Sequence, residues 1–220
     1  MKLLVATRSR HKLAEIRALL SGVPGLELLD LDGAGVSEDP AEEALEPFDG
    51  FEENARSKAA HFRRLTGLPT VADDSGIEVD VLGGAPGVRS RRFGPLPEGT
   101  GREEQDHANN ELLLDRIVLV DPACRTARYV CVAALDEGEG RVTTFRGTAE
   151  GRIVDAPRGS GGFGYDPLFL DPELGRTFAE ISPAEKDARS HRGQAFRALA
   201  THLAVRFAAG EAGGASRPER

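Results

Sequence analysis

Apolar positions near the start of the chain run without interruption. Leu3, Leu4, Val5 and Ala6 follow Lys2 and read as a buried strand over 2–6. The polar stretch Thr7, Arg8, Ser9, Arg10, His11 and Lys12 then leads into a helix whose inner face carries Leu13, Ile16 and Leu20. A second strand is expected over 26–31, followed by an acidic loop over 33–50. Residues 51–65 have helical spacing, with Ala55, Ala59 and Phe62 as an apolar stripe and Asn54 and Lys58 sharing the neighbouring face. Asn54 is a poor mid-helix residue, which points to a polar contact. Further on, a helix is expected over 103–117. Strands are expected over 128–135 and 141–148, joined by a Gly-bearing turn, and over 152–154. Ser182-Pro183-Ala184-Glu185 has the form of a capping box with Pro at the first helical position. A final helix begins near Ser190 and turns Phe196, Leu199, Leu203 and Phe207 inward.

The middle of the chain carries the densest chemistry. Thr70-Val71-Ala72 reads as a short strand running into two adjacent carboxylates, Asp73 and Asp74, with Ser75-Gly76 turning the chain. Such a turn would bring both carboxylates to one mouth. A pair of this kind suits Mg²⁺, which takes oxygen ligands and keeps several waters. It also suits a general base acting on water. A plain polar junction is the alternative, because Asp, Ser and Gly are common turn formers. Leu82-Gly83-Gly84-Ala85-Pro86-Gly87-Val88 follows as a tight loop, then the basic run Arg89-Ser90-Arg91-Arg92.

Three other places invite an anion or a base. The loop from Thr7 to Lys12 lies between a strand and a helix N-terminus, where backbone N–H groups and the helix dipole favour phosphate. Gly159 to Asp166 is a Gly-rich loop holding Phe163 and Tyr165, which have flat rings a base could stack on. His191 and Arg192 sit in the first turn of the last helix, where a cation opposes the dipole unless an anion is near. With Lys186 just before them, they are candidate ligand contacts.

Composition narrows the class. The chain has 220 residues, 40% of them apolar, enough for one large domain or two interleaved lobes. The net charge of -8 argues against a nucleic-acid scaffold, which needs a cationic face. Cys124 and Cys131 form no Cys-x-x-Cys pair, so neither a zinc site nor a disulfide framework is indicated. A reducing, cytoplasmic setting fits that usage. No run approaches the ~20 apolar residues that cross a bilayer, and none resembles a signal segment. The expected organisation is one domain over 1–208 and a disordered tail over 209–220, low in bulky apolar residues.

Five segments in order give the chain a resemblance. They are Ala6-Thr7 with Lys12 and Glu15; Phe51-Glu52-Glu53-Asn54-Ala55 with Lys58-Ala59; Ala72-Asp73-Asp74-Ser75-Gly76 with Gly83-Gly84-Ala85-Pro86-Gly87; Gly161-Gly162-Phe163-Gly164-Tyr165-Asp166-Pro167; and Ser182-Pro183 with Glu185-Lys186 and Ser190-His191-Arg192-Gly193. Together they resemble the HAM1/inosine triphosphatase family of purine nucleoside triphosphate pyrophosphatases. The resemblance implies an α/β fold: a long mixed sheet flanked by helices, two lobes, a central substrate cleft and a homodimer. It implies Mg²⁺-dependent hydrolysis of ITP, dITP and XTP to the monophosphate and pyrophosphate.

Residue by residue, Asp74 matches the family's proton acceptor and metal carboxylate, and Asp73 its acidic neighbour. Glu46 aligns with a second metal carboxylate, with Glu43 as a rival. Thr7, Arg8, Ser9, Arg10, His11 and Lys12 match the phosphate-binding segment. Asn54, Lys58, Ser75, Lys186, His191 and Arg192 match substrate-binding positions, and Phe163, Gly164, Tyr165 and Asp166 match the base loop. Two departures stand out. Ser9 replaces the usual Asn, and Arg91 stands where a small residue is usual. A Maf-like pyrophosphatase and a catalytically silent nucleotide-binding module are the rival readings.

Overall fold

The structure, a computed structural model, describes residues 1–97 and 99–214. Its frame is a seven-stranded mixed sheet in the order β2-β1-β3-β4-β5-β6-β7. β1 (Lys2–Val5) lies parallel to β2 (Glu27–Leu29) and to β3 (Thr70–Val79). β4 (Thr126–Asp136), β5 (Val142–Ile153), β6 (Phe169–Asp171) and β7 (Arg176–Thr177) complete it in antiparallel pairing. The parallel pairs need crossovers, and helices supply them. α1 (Arg10–Leu20) joins β1 to β2, and α2 (Phe51–Thr66) precedes β3. α3 (Arg102–Arg116) precedes β4, and α4 (Pro183–Arg189) and α5 (His191–Gly214) close the chain.

The apolar runs go where both faces of the sheet are covered. On one face, Leu3, Val5, Val71, Cys131 and Ala133 pack with Ile16 and Leu20 of α1 and with Phe196, Leu199 and Leu203 of α5. On the other, Leu4, Ala6, Ala72, Val130 and Val132 pack under Ala55, Ala59 and Phe62 of α2. A third core lies towards the far end of the sheet, around Ile77, Tyr129, Phe169, Phe178 and Leu113 of α3. Because β4 is covered on both faces, it reads as a continuous apolar run without alternation.

Three sequence expectations need correction. The strand expected over 70–72 continues to Val79 with no turn at Ser75-Gly76. β4 enforces this, since Asp73, Asp74, Ser75 and Gly76 pair in register with Ala133, Val132, Cys131 and Val130. Gly76 serves close approach instead: a Cβ there would meet Gly87 O at 2.2 Å and Ser90 Oγ at 2.5 Å. The runs 141–148 and 152–154 are one strand, β5. The acidic loop contains a 3₁₀ helix, Pro40–Leu45, whose N-terminus Asp39 caps from its side chain. The capping box of α4 forms as expected, with Ser182 and Glu185 bonded reciprocally. Of the expected tail 209–220, α5 reaches Gly214, and 215–220 lie outside the described residues.

Candidate active site

β1 stops at Val5, and Ala6 N–H makes a last bond to Val71 O at 2.8 Å. β3 runs on past that point, and a cleft of about 1040 Å³ opens beside it. Its walls include Ser9 and Lys12, Glu46 and Lys58, Asp74 and Ser75, Phe163 and Gly164, and Lys186, His191 and Arg192. Side chains from five separate segments thus meet in one space.

Successive strand residues face opposite ways, and Asp73 and Asp74 do so. Asp74 projects to the α2 face. Its Oδ2 accepts from Asn54 Nδ2 at 3.0 Å and its Oδ1 from the Ser75 N–H at 2.9 Å. Burial and the neighbouring Glu46 push its carboxyl up to about 6, against the pull of Lys12, Lys58 and Asn54. Asp73 projects to the α1 and α5 face and is fully buried. Its Oδ2 lies 3.0 Å from Lys12 Nζ and 3.4 Å from Arg192 Nη2. Burial alone would raise it, yet Lys12, Arg192 and Lys58 outweigh burial and hold it far below the ordinary carboxylate range. The two carboxylates do not share a mouth: Asp74 faces the cleft, and Asp73 anchors cations.

The cations are organised before any ligand arrives. Lys58, partly buried on α2, pairs with Glu46. Lys58 stays charged because Glu46, Asp73 and Asp74 overcome the effect of its burial. Lys186 reaches Glu15 Oε1 at 2.9 Å and Asp166 Oδ2 at 2.6 Å. Arg192 donates to Glu15 Oε2 at 2.6 Å and to Ser75 Oγ at 2.8 Å. The anion that the first turn of α5 calls for is therefore protein-borne, Glu15 together with Asp73. His191 is buried, stacked on Tyr129 at 4.5 Å between ring centroids. Burial, Arg192 and Lys186 drive its pKa well below 6.5, so it is neutral.

The Gly-rich loop that the resemblance assigns to a base is equally fixed. Asp166 Oδ2 accepts from Phe163 N–H at 2.8 Å, while Asp106 of α3 accepts from Gly164 N–H at 2.9 Å and Asn110 donates to Gly164 O at 3.0 Å. Phe163 is left half-buried, with Lys186 Nζ 4.6 Å and Arg192 Cζ 5.7 Å from its ring centroid. His11 stacks on Phe163 at 5.2 Å.

Several expected contacts turn out to be occupied by the protein itself. Arg8 donates to both carboxylate oxygens of Glu42, at 3.0 and 2.6 Å, and to Val36 O and Ser37 O. It is a strut between the β1–α1 loop and the acidic segment. Asn54 is buried, its amide consumed by Asp74 and by Phe48 N–H and O. Tyr165 is buried and donates to Ser90 O at 2.8 Å. Arg10 lines a small neighbouring hollow with Asp30 and Asp32. Ser9 caps α1, accepting from Lys12 N–H, and Thr7 Oγ1 accepts from Ser9 N–H at 3.2 Å. Glu43 also lines the cleft, but Glu46 is the carboxylate that acts on Asp74.

Glu15, Asp106 and Asn110 are supports that sequence reading did not single out as site residues. The one signal for the last was a pair of Asn, poor helix formers, on the inner side of an otherwise ordinary helix.

The profile of the Ham1 family matches residues 3–202. The chain belongs to the Ham1 family. Relatives named dITP/XTP pyrophosphatase include those of Mycolicibacterium paratuberculosis, 50% identical over 91% of this chain and 95% of that one. Another, from Exiguobacterium sibiricum, is 43% identical over 92% of this chain and 97% of that one. The solved HAM1 protein of Coxiella burnetii superposes with a TM-score of 0.79 at 36% identity, covering 92% of this chain and 98% of that one. The Staphylococcus aureus Ham1 protein gives a TM-score of 0.76 at 29% identity, with the same coverage. Ham1 membership sets the Maf-like alternative aside, and the mixed sheet flanked by helices is the one its resemblance implied.

Among the described residues of this Ham1-family chain, no three His, Cys, Asp or Glu side chains converge as a metal cluster. Asp74 and Glu46 form an acidic pair at the cleft. That set fits Mg²⁺, which is commonly held by one or two carboxylates with water and substrate phosphate completing the shell. No described helix is long and apolar enough to cross a membrane.

Proposed function

We propose that this chain hydrolyses ITP, dITP and XTP to the monophosphate and pyrophosphate, so clearing non-standard purines from the nucleotide pool. One observation carries the reading: Asp74, raised to about 6, faces a cleft that also holds Lys12, Lys58, Lys186 and Arg192. The relatives' name, dITP/XTP pyrophosphatase, supports dITP and XTP.

A triphosphate is strongly anionic, and phosphoryl chemistry is mostly positioning and charge stabilisation. Lys12 and Lys58 flank the acidic pair and would take the phosphates, with the N-terminus of α1 adding its dipole. Phe163 would stack on the purine, and Arg192 and Lys186 at the ring's edge would read its oxygen. Asp74 would accept the proton of the attacking water. A carboxyl titrating near 6 is ionised at neutral pH yet a stronger base than an ordinary one. Asn54 and the Ser75 N–H hold it in place. Asp74 and Glu46 would hold Mg²⁺. The ion, when bound, supplies charge neutralisation at phosphoryl oxygens and orients water.

The proposal includes a homodimer in the cytoplasm, a reading that rests on the family resemblance and on cysteine usage; light scattering tests the dimer. Product analysis with ITP, XTP, GTP and ATP, with and without Mg²⁺, tests the reaction. Pyrophosphate and monophosphate should appear in equal amounts from ITP and XTP, and only with Mg²⁺. Release of inorganic phosphate alone, or equal rates on ATP and ITP, would sink the reading.

A further inference from the structure

Two arginines at the base end of the cleft are not used by the chemistry described so far. Arg91 lies in the 3₁₀ turn Gly87–Arg92, and Arg102 opens α3. Both line the cleft in company with Gly164 and Asp106. Arg102 is partly buried, and its Nε is enclosed without a hydrogen-bond partner among the described residues. Burial, Arg91 and Arg192 all work against its charge, and Asp106 is the carboxylate that opposes them. Asp106 is already committed to Gly164 N–H. Arg192 is balanced by Glu15 and Asp73, so Arg91 and Arg102 are the guanidinium groups that border this end of the cleft, with Asp106 the carboxylate set against their charge. The enclosed, unpartnered Nε of Arg102 is a cost that a ligand edge bearing an acceptor would relieve.

The 6-oxo group is common to hypoxanthine, xanthine and guanine, so a donor at that edge cannot separate them. They differ at the 2-position. Hypoxanthine has a hydrogen there. Xanthine has an oxygen, and its ring N–H ionises near neutrality, so the base is largely an anion. Guanine presents an amino donor. We propose that Arg102, with Arg91 beside it, reads the purine 2-position, favouring the acceptor oxygen and negative charge of xanthine and rejecting the amino group of guanine. Arg carries only donors, so it pairs with the 2-oxygen of xanthine, tolerates the hydrogen of hypoxanthine and opposes the amino donor of guanine. This inference rests on the triphosphate-hydrolase reading above.

The test is steady-state hydrolysis of XTP, ITP and GTP by the full chain and by Arg102→Met, Arg102→Lys and Arg91→Ala. In Arg102→Met, the ratio of kcat/KM for XTP over ITP should fall about tenfold, the loss of one charge-assisted hydrogen bond. The ratio for GTP over ITP should rise. Arg102→Lys should keep part of the xanthine preference, and Arg91→Ala should shift the ratios the same way by less. Equal losses on all three substrates, the mark of a folding effect, overturn the inference, and so do unchanged ratios. A wild-type chain that hydrolyses none of the three overturns the hydrolase reading together with it, whereas unchanged ratios in an active enzyme overturn the inference alone.

Discussion

Asp73 and Asp74 are neighbours in β3 and stand on opposite faces of the sheet, paired in register with Ala133 and Val132 of β4. One backbone step thus separates a carboxylate held ionised by Lys12 and Arg192 from one raised to about 6 by burial and Glu46. The two should respond differently to the same substitution. Asp74→Asn removes the base while leaving an oxygen for Asn54, so turnover should fall by about a thousandfold, with the urea midpoint nearly unchanged. Asp73→Asn leaves Lys12 and Arg192 without their buried anion, which should cost about 3 kcal/mol of stability. Urea unfolding and ITP turnover on both variants check the contrast. Equal turnover in Asp74→Asn and wild type would defeat the assignment of the base.

Glu15 ties two cleft-lining cations to α1, through Lys186 at 2.9 Å and Arg192 at 2.6 Å. Burial would raise its carboxyl, but the two cations lower it and keep it charged. Glu15→Gln should lower kcat/KM for ITP at least about tenfold by letting both cations lose their geometry. Glu15→Asp keeps the charge one methylene short and should recover part of that loss. Wild-type kinetics in Glu15→Gln would show that orientation by Glu15 is unimportant.

Arg8 was expected at the phosphates and instead spans to Glu42, Val36 O and Ser37 O. That strut fixes the segment leading to Glu46. Arg8→Lys cannot reproduce the two-pronged pairing. Hydrogen exchange over 36–46 should speed up by about tenfold or more, and exchange over β4 should not change. Mass spectrometry of deuterium uptake decides this. Exchange unaltered over 36–46 would assign Arg8 to the ligand after all.

What the sequence could reveal followed the range of the interactions. The buried run of β1, the stripes of α1 and α2 and the Ser182–Glu185 capping box are local patterns, and each was legible. Asp73-Asp74-Ser75-Gly76 was misread as a turn because those residue types favour turns locally. Ten residues of pairing with β4 and the Ser90 hydroxyl at Ile77 N–H override that preference. The Glu42 partner of Arg8 was hidden for a related reason: a guanidinium beside a helix start looks the same whether its anion is a ligand or a Glu42 that lies 34 residues away. Glu15 and Asp106 act on partners far along the chain, so no spacing rule exposes their roles. The converging cations were legible because charge type and order carried them, although their internal partners were not.

His191 gives the protein a stability that depends on pH. It is enclosed between Tyr129, on which it stacks, and the charges of Arg192, Lys186, Lys12 and Asp73. Its Nδ1 is buried with no hydrogen-bond partner among the described residues. Burial, first, and then the cations keep its folded pKa well below the unfolded 6.5. Below 6.5 the unfolded chain therefore binds a proton that the folded chain refuses. The stabilisation is complete above 6.5 and is lost as pH falls from there towards the folded pKa, by about 1.4 kcal/mol per pH unit. His191→Phe keeps the stack on Tyr129 and has nothing to protonate. The difference between wild-type and variant unfolding free energies should thus be flat from pH 8 to 7 and move in the variant's favour from 6.5 to 5. Parallel curves across that range would mean that His191 titrates normally in the folded protein.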